Sequence, residues 1–477
     1  MNLTEKRSKL ITTIGPSSDN YDTMRALIEN GATAIRANFS HGSYDEQLNK
    51  FVLAKKISSD LNIPVSLILD TKGPEIRVGK MKDGAQVIKA GTELTIWSTK
   101  EKYENFEGTE TEITVAYDMS KDLIVGNQVL LDDGKLSTIV TEVGDGYVKA
   151  VAENTHKLKT NKRINLPGVD FSLPFLAEKD INDVKFGIKN GVDYIAASFV
   201  NSAKNVRELR KLLDENGGQH VQIISKIESH LGVMNIEEII NESDAIMVAR
   251  GDLGLEIPYY DVPYYQKIMI RKCRELGKPV VVATQMLDSM ENNPHPTRAE
   301  VTDVYFATEL GADSTMLSGE SANGDFPVEA VKVMSNINKR AEKEFYEKTY
   351  YDVQLEQVRK NSDYFDKRSI IAYDVANKVR RGDYKFAVVL SRTGQLLKEV
   401  AKFRPNTAII GILDNADLIG GFGITSSVFT SLDSKRLFSE IKKDHNKALE
   451  ALAPYGAQPG DKYLVVENTS ITEHIVK

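Results

Sequence analysis

The sequence predicts an α/β protein: a (β/α)8 TIM barrel with a small inserted β-barrel lid domain, followed by a C-terminal α/β domain. Three observations predict this fold. Eight short apolar runs each precede a helix-like segment, the interval between the third and fourth runs is much longer than one helix, and strands alternate with helices again after about residue 350. Eight right-handed βαβ units close into a parallel barrel. An open doubly wound sheet is the alternative.

The eight runs are rich in β-branched residues or leucine, as expected for parallel strands that are buried on both faces. In chain order they are KLITTIGPSS (9–18), ATAIRANFSHG (32–42), VSLILDTKG (65–73), YIAASFVN (194–201), VQIISKIES (221–229), AIMVARGDLG (245–254), VVVATQML (280–287) and STMLSGES (314–321).

The long interval contains the short alternating runs TELTIW, NQVLL and YVKAVAE, separated by KDG, VGN, DDG and GDG. These tripeptides are hairpin signals, so we expect an all-β insertion that can close over the barrel mouth as a lid. The predicted barrel domain is therefore 1–71 and 170–345, and the inserted lid domain is 72–169.

The predicted C-terminal domain, 346–477, is a second α/β unit. A long charged segment at 336–360 has a helical pattern and leads into it. The strand-like runs KFAVVLSRTG, TAIIGILD, SSVFTSL and KYLVVEN follow, with helix-like segments between them.

Composition excludes several classes of protein. The chain has 477 residues and a net charge of −7, which argues against a nucleic-acid binder. Its single cysteine, Cys273, excludes an internal disulfide and fits a reducing compartment. We expect no signal peptide, because the start MNLTEKRSKL lacks an apolar core. We expect no membrane span, because no apolar run approaches the roughly 18 residues required. A cytoplasmic protein is the expectation.

Polar side chains accumulate where the predicted strands end, which is where a TIM barrel carries its active site. They are Arg36, Asn38, Ser40 and His41 at the end of the second run; Asp70, Thr71 and Lys72 at the end of the third; and Lys226, Glu228, Arg250, Asp252, Thr284, Gln285, Ser318 and Glu320 at the ends of the later ones.

Lys226 and Glu228 are two positions apart, so on a strand they share one face. Together with Asp252 from the next strand, two carboxylates could bind one Mg²⁺, which accepts one or two carboxylates plus water and substrate oxygens. The alternative is a structural ion network. Gly251, beside Asp252, would let a ligand approach the backbone, and the following helix offers N–H groups to an anion.

Arg36, Asn38 and Ser40 also alternate on one face. Arginine fits phosphate in a bidentate geometry. The oxygens of Asn38, Ser40, Asp70 and Thr71 could form a site for a monovalent cation, although polar turn residues are the alternative there. An RGD adhesion motif at 250–252 is disfavoured, because it follows a buried strand.

Nine segments resemble, in order and spacing, the signatures of the pyruvate kinase family, over roughly residues 7–335. They are ITTIGPSS, IRANFSHG, LDTKGPEIR, INLPG, SKIES, MVARGDLGLE, ATQMLDSM, PTRAE and MLSGESANGDFP. The resemblance implies transfer of a phosphoryl group from phosphoenolpyruvate to ADP, as the final step of glycolysis, by a homotetramer.

The resemblance also implies residue roles. Lys226 would stabilise the phosphoryl group and the enolate, and Arg36 would contact phosphate. Thr284 would lie near the face of the enolate that receives a proton. The other implied sites are the substrate carboxylate at Gly251, Asp252 and Thr284; Mg²⁺ at Glu228 and Asp252; K⁺ at Asn38, Ser40, Asp70 and Thr71; nucleotide at Asn38, His41, Arg77 and Lys162; and a proton relay at Ser318 and Glu320. Glu75 is typical of potassium-dependent members.

Some residues depart from the family pattern. Arg163 occupies a position that is usually glycine, and we expect it to lie apart from the chemistry. The sugar-phosphate loop of allosteric members is replaced by SRTGQLLKE, which removes the basis for predicting fructose 1,6-bisphosphate control. The alternatives to the kinase are another Mg²⁺-dependent lyase or aldolase barrel that binds phosphoenolpyruvate or pyruvate, and a non-catalytic homologue.

Overall fold

The structure is a computed structural model that describes residues 3–170, 173–347, 349–361 and 366–477. Eight parallel strands form a closed barrel, and each strand pairs with its neighbours in chain order. The predicted (β/α)8 barrel is confirmed, and closure excludes the open doubly wound sheet. The strands are Lys9–Thr13, Ala34–Asn38, Ser66–Asp70, Tyr194–Ala197, Gln222–Ile227, Ala245–Ala249, Val280–Ala283 and Ser314–Leu317.

Both faces of the barrel strands are buried, which explains why the predicted runs carry apolar residues on both faces. In the third strand, Ile68 packs into the barrel interior, while Leu67 and Leu69 pack outward against the helices. The barrel interior is thus filled by side chains at its centre, and an open cavity remains at the mouth.

Several helices around the barrel begin at polar caps. Ser43 and Glu46 form a capping box at one helix, and Thr297 and Glu300 form another. The helices are Tyr21–Glu29, Tyr44–Leu61, Glu178–Lys189, Ala203–Glu215, His230–Met234, Ile236–Glu242, Arg250–Glu256, Val262–Leu276, Arg298–Glu309, Gly319–Ala322 and Pro327–Glu347, with 3-10 turns at Leu3–Glu5, Tyr259–Asp261 and Asp288–Glu291.

The segment between the third and fourth barrel strands is an all-β unit with its own apolar core. Seven strands form its main sheet, and a bridge between Val78 and Val115 joins the two ends of that sheet into a small barrel, as predicted. Its strands are Ile76–Arg77, Ala85–Ile88, Glu93–Trp97, Glu112–Thr114, Gln128–Leu131, Leu136–Gly144, Tyr147–Ala152, His156–Lys159 and Arg163–Asn165, with a helix at Lys100–Asn105 and 3-10 turns at Lys82–Gly84 and Met119–Lys121.

Two of the predicted hairpin signals join neighbouring antiparallel strands. The Asp132-Asp133-Gly134 turn has φ values of 54°, 55° and 78° and connects Gln128–Leu131 to Leu136–Gly144. The GDG turn at 144–146 connects the latter strand to Tyr147–Ala152. Left-handed backbone at these positions favours Asp and Gly, which explains why the sequence signal was reliable.

The C-terminal unit is a five-stranded sheet with apolar clusters on both faces. Four strands are parallel, and the last strand pairs antiparallel at the edge. The strands are Tyr384–Ser391, Ala408–Leu413, Val428–Thr430, Lys462–Glu467 and Ser470–Ile475; the helices are Thr349–Asn361, Lys367–Arg381, Gln395–Lys402, Ser434–Ile441 and Ala448–Leu452; 3-10 turns are Ala416–Phe422, His445–Lys447 and Ala453–Tyr455.

The predicted charged helix at 336–360 lies in two helices, Pro327–Glu347 and Thr349–Asn361, and residue 348 between them is outside the described part. Across the described ranges, none of the helices is long and apolar enough to cross a bilayer.

Candidate active site

Asp70 ends the third barrel strand, and its carboxylate pairs with two cationic side chains. Its Oδ2 accepts a hydrogen bond from Nε of Arg36 at 2.7 Å, and its Oδ1 accepts one from Nζ of Lys226 at 3.0 Å. Arg36 also donates to the hydroxyl of Thr13 at 2.8 Å. Burial raises the pKa of Asp70, but the two cations lower it by more, so the carboxylate is ionised.

Lys226 is fixed by three partners at the end of the fifth strand. Its Nζ lies 3.0 Å from Asp70, 2.8 Å from the hydroxyl oxygen of Ser198 and 3.1 Å from Oε1 of Glu228. Burial lowers its pKa, but the Asp70 and Glu228 carboxylates raise it by more. Lys226 is therefore a positioned ammonium group, and the predicted shared face of Lys226 and Glu228 is confirmed.

Glu228 is buried, and its second oxygen accepts a hydrogen bond from the N–H of Phe199 at 2.8 Å. Phe199 has a φ of 53°, a left-handed conformation that is uncommon for a bulky residue. Burial raises the pKa of Glu228, Lys226 opposes this rise, and the nearby Asp252 carboxylate adds to it. Both carboxylates line the same cavity at the strand ends.

Asp252 lies in the first turn of the helix Arg250–Glu256, which follows the sixth strand directly. Its side chain is 25% exposed, and its Oδ1 accepts a hydrogen bond from Nη1 of Arg163. The N–H of the preceding Gly251 donates to the hydroxyl of Thr284 at 2.7 Å. Two of the residues predicted to bind the substrate carboxylate therefore bind each other here.

Thr284 has a φ of 68°, which is a strained conformation for a β-branched residue, and the next residue, Gln285, also has a positive φ, of 52°. Arg250 holds this turn: its Nη2 donates to the carbonyl oxygen of Thr284 at 2.7 Å, and its Nη1 pairs with Asp303 at 2.6 Å. Because the Arg250 side chain is only 10% exposed, the RGD sequence does not form an accessible adhesion loop.

The residues predicted to hold a monovalent cation are partly brought together. Asn38, Ser40 and Asp70 line one cavity. Thr71 is adjacent, but its hydroxyl accepts a hydrogen bond from the N–H of Ser198 at 3.2 Å and lies 3.5 Å from the carbonyl oxygen of Ala196. Its oxygen is therefore directed toward the fourth strand.

The predicted nucleotide residues Asn38, His41, Arg77 and Lys162 all line this same cavity. Arg77 is paired with Glu75 at 2.7 Å, and Lys162 lies 2.8 Å from Asp132. Arg77 and Lys162 both belong to the insertion, so the insertion places two basic side chains at the barrel mouth.

The predicted proton-relay residues lie at a neighbouring position. The Glu320 carboxylate is buried and accepts hydrogen bonds from the N–H groups of Ser318 at 2.7 Å and Leu287 at 3.1 Å. Burial raises its pKa. Ser318 lines a second cavity, which shares Arg36, Asn38 and His41 with the first.

The cavity that carries Lys226, Glu228 and Asp252 has a volume of about 370 Å³ and joins the strand ends to the insertion. The structure brings most of the predicted residues to its wall: Arg36, Asn38, Ser40, His41, Asp70, Arg77, Lys162, Lys226, Glu228 and Asp252. Thr71, Gly251, Thr284, Ser318 and Glu320 surround this wall without lining it.

The expectation that Arg163 lies apart from the chemistry is wrong. Its guanidinium group lines the same cavity as Lys226, binds Asp252 and lies 3.9 Å from Glu75. Ser198, which binds Lys226, was also missed. Ser198 directly follows the fourth strand, Tyr194–Ala197, so the strand-end pattern could have identified it. Arg163 lies in the insertion, where that pattern does not apply, and its partner Asp252 is 89 positions away.

The donor set fits a hard divalent cation. Glu228 and Asp252 are two carboxylates on one cavity, and no group of three or more His, Cys, Asp or Glu side chains suited to a metal occurs within the described ranges. A pair of carboxylates is a set of protein ligands that Mg²⁺ accepts, because it completes its shell with water and phosphate oxygens.

Comparison with known proteins agrees with this geometry. The sequence profile of the pyruvate kinase barrel domain matches residues 5–331. The chain is 39% identical to pyruvate kinase of Mycoplasma pneumoniae, covering 96% of each chain, and 38% identical to that of Clostridium acetobutylicum, covering 94% of this chain and 93% of the relative. A crystal structure of pyruvate kinase from Cryptosporidium parvum superposes with a TM-score of 0.91 at 35% identity, covering 100% of this chain and 97% of that one. The chain belongs to the pyruvate kinase family, a metal-dependent group of phosphotransferases.

Proposed function

We propose that this protein transfers the phosphoryl group of phosphoenolpyruvate to ADP, giving pyruvate and ATP. The observation that carries the proposal is the charge arrangement around Lys226, a buried ammonium group beside Asp70 and Glu228 at one cavity with Asp252. Phosphoryl transfer depends mainly on positioning and charge stabilisation, and this arrangement supplies both.

Lys226 and Arg36 are the proposed contacts of the phosphoryl group. Both are anchored on Asp70, which fixes their positions before substrate binds. Lys226 would also stabilise the enolate oxygen as the bond to phosphorus breaks, because preorganised charge is most effective where negative charge develops.

Glu228 and Asp252 would hold Mg²⁺, which would polarise phosphoryl oxygens and neutralise their charge. Asn38, Ser40, Asp70 and Thr71 would hold K⁺ through oxygen atoms alone. Asp70 and Glu75 are both paired with cationic side chains, so a bound K⁺ would share these carboxylates.

The substrate carboxylate is assigned to the backbone of Gly251 and Asp252 and to the hydroxyl of Thr284. For this, the Gly251 N–H would exchange its Thr284 partner for a carboxylate oxygen. Thr284 would then lie beside the enolate face that receives a proton, and Ser318 and Glu320 would organise the relay behind it.

ADP is assigned to Asn38, His41, Arg77 and Lys162. Arg77 and Lys162 belong to the insertion, so closure of residues 72–169 over the barrel of 1–71 and 170–345 would complete the nucleotide site. Residues 346–477 would serve assembly into a homotetramer, which rests on the family resemblance. A cytoplasmic location is part of the same proposal and rests on the composition of the chain.

The test is the dependence of pyruvate formation on ADP. The proposal predicts pyruvate and ATP in equal amounts from phosphoenolpyruvate, ADP and Mg²⁺, and no pyruvate when ADP is omitted. Pyruvate release without nucleotide would instead assign the chain to the lyase or aldolase class, and a folded chain without either activity would favour the non-catalytic homologue.

A further inference from the structure

Arg163 carries a cation from the insertion into the cavity of the barrel. It opens the strand Arg163–Asn165, opposite Arg77 in the antiparallel neighbour. From there its Nη1 binds Oδ1 of Asp252, and its guanidinium carbon lies 4.8 Å from the centre of the Phe199 ring. The side chain thus spans two parts of the fold.

One end of this guanidinium has no acceptor. The side chain is 14% exposed, and Nη2 is buried without a hydrogen-bond partner among the residues that the structure describes. An unsatisfied buried donor is costly, and more so when it is charged. Since Arg163 lines the same cavity as Arg36 and Lys226, the missing acceptor is expected in that cavity.

The surroundings keep Arg163 charged. Burial lowers its pKa, but the carboxylates of Asp252, Glu228 and Glu75 raise it by more. A guanidinium group that keeps one N–H on a carboxylate can direct another at a second anion, and its fork matches the spacing of phosphate oxygens.

We propose that Arg163 binds a phosphate oxygen of a substrate through Nη2 while Nη1 remains on Asp252. This inference deepens the proposed function and rests on it. The shared chemistry is an anionic phosphate oxygen, which both phosphoenolpyruvate and ADP supply. Because the family usually has glycine at this position, the contact would distinguish chains that carry arginine here.

Asn165 offers a matched control. It lies two residues further along the same strand, and its Nδ2 donates to Oε1 of Glu256 at 3.0 Å. Glu256 follows Asp252 by four residues, on the same face of the helix Arg250–Glu256. Both contacts therefore dock the insertion on this helix, but only Arg163 reaches the cavity.

The experiment compares the full chain with Arg163→Gln, Arg163→Lys and Asn165→Ala. Titration calorimetry measures binding of phosphoenolpyruvate with Mn²⁺ and, separately, of ADP; electron paramagnetic resonance measures binding of Mn²⁺ alone. We expect Arg163→Gln to weaken one or both substrates by about 10-fold to 100-fold, Arg163→Lys to weaken it less, and Mn²⁺ alone to bind to every variant. The substrate that is weakened identifies the phosphate involved.

Equal substrate binding by the unmodified chain and Arg163→Gln would overturn the inference and leave the proposed function intact. An equal loss of substrate binding in Asn165→Ala would also overturn it, because Arg163 would then be only a docking contact. Loss of Mn²⁺ binding in Arg163→Gln would overturn it too, because Arg163 would then act through the metal site. An unmodified chain that binds neither substrate would overturn the proposed function and this inference with it. Thermal unfolding of each variant checks that the fold is retained.

Discussion

Nζ of Lys226 lies 3.1 Å from Oε1 of Glu228, and the two side chains are 10% and 1% exposed. Burying such a pair costs a large desolvation free energy, which the attraction between the charges offsets only in part. Replacing a buried ion pair by apolar residues of similar volume is often neutral or stabilising, so stability alone does not explain this pair. The ion pair is therefore best explained by chemistry that needs a positioned cation and a positioned carboxylate.

Replacement of Lys226 by Met is expected to lower kcat for pyruvate formation by at least about 10²-fold to 10³-fold, because the developing charge loses its preorganised partner. Steady-state kinetics measures the loss, and Mn²⁺ binding reports whether the metal site survives. Lys211→Ala, at an exposed position, serves as the control. Near-normal turnover in Lys226→Met would refute the assignment.

Glu228→Gln and Asp252→Asn are expected to weaken Mn²⁺ binding by more than the roughly 10-fold to 100-fold that loss of an outer-sphere partner costs. Electron paramagnetic resonance measures the affinity, and chelation of the metal should abolish turnover in the unmodified chain until Mg²⁺ is restored. Glu256→Gln is the control, because it removes a buried carboxylate from the helix that carries Asp252, at a position that does not line the cavity. If it weakened Mn²⁺ equally, the metal site would not be at Glu228 and Asp252.

Arg250→Lys keeps the charge but removes the fork that holds both Asp303 and the carbonyl of Thr284. We expect the strained Thr284 turn to relax and kcat to fall by up to about 100-fold, because small misplacements near the reacting atoms are costly. Arg207→Lys, at an exposed ion pair with Glu242, provides the comparison. An unchanged kcat in Arg250→Lys would show that this turn does not need its anchor.

Asp193 is a buried carboxyl group that is expected to make the free energy of unfolding depend on pH. Its Oδ2 accepts a hydrogen bond from the N–H of Leu67 at 2.7 Å, and burial raises its pKa to about 7. In the unfolded chain this carboxyl ionises near pH 4, whereas in the folded chain it stays protonated up to about pH 7. The free energy of unfolding therefore decreases as the pH rises between these two values.

Asp193→Asn keeps an acceptor for Leu67 and removes this proton linkage. We therefore expect the melting temperature of Asp193→Asn, relative to the unmodified chain, to increase between pH 5 and pH 8. Thermal unfolding at the two pH values measures the difference. A difference that is the same at both would indicate that Asp193 is already ionised in the folded chain at pH 5.

The barrel was predictable because its signals are local. Each strand is an apolar run, and in a parallel barrel the polar residues after such runs must converge on one rim, which placed Lys226, Glu228 and Asp252 together. The Asp-Asp-Gly turn was predictable for the same reason, since three consecutive residues specify its conformation.

Features that depend on distant contacts were not predictable. Arg163 meets Asp252 across 89 positions of sequence, and nothing near residue 163 indicates which barrel element its strand will face. The final strand, Ser470–Ile475, is another example. Its burial alternates only weakly, because it lies at the sheet edge and takes its conformation from pairing with Lys462–Glu467.

Pyruvate formation from phosphoenolpyruvate and ADP with Mg²⁺, measured once in K⁺ and once in Na⁺, tests both phosphoryl transfer and the cation site. We expect rapid turnover in K⁺ and a collapse in Na⁺, because Asn38, Ser40, Asp70, Thr71 and the nearby Glu75 are proposed to select a potassium ion. Equal rates in both salts would contradict the potassium site alone. No pyruvate in either salt, from a folded chain, would contradict the phosphoryl-transfer function itself.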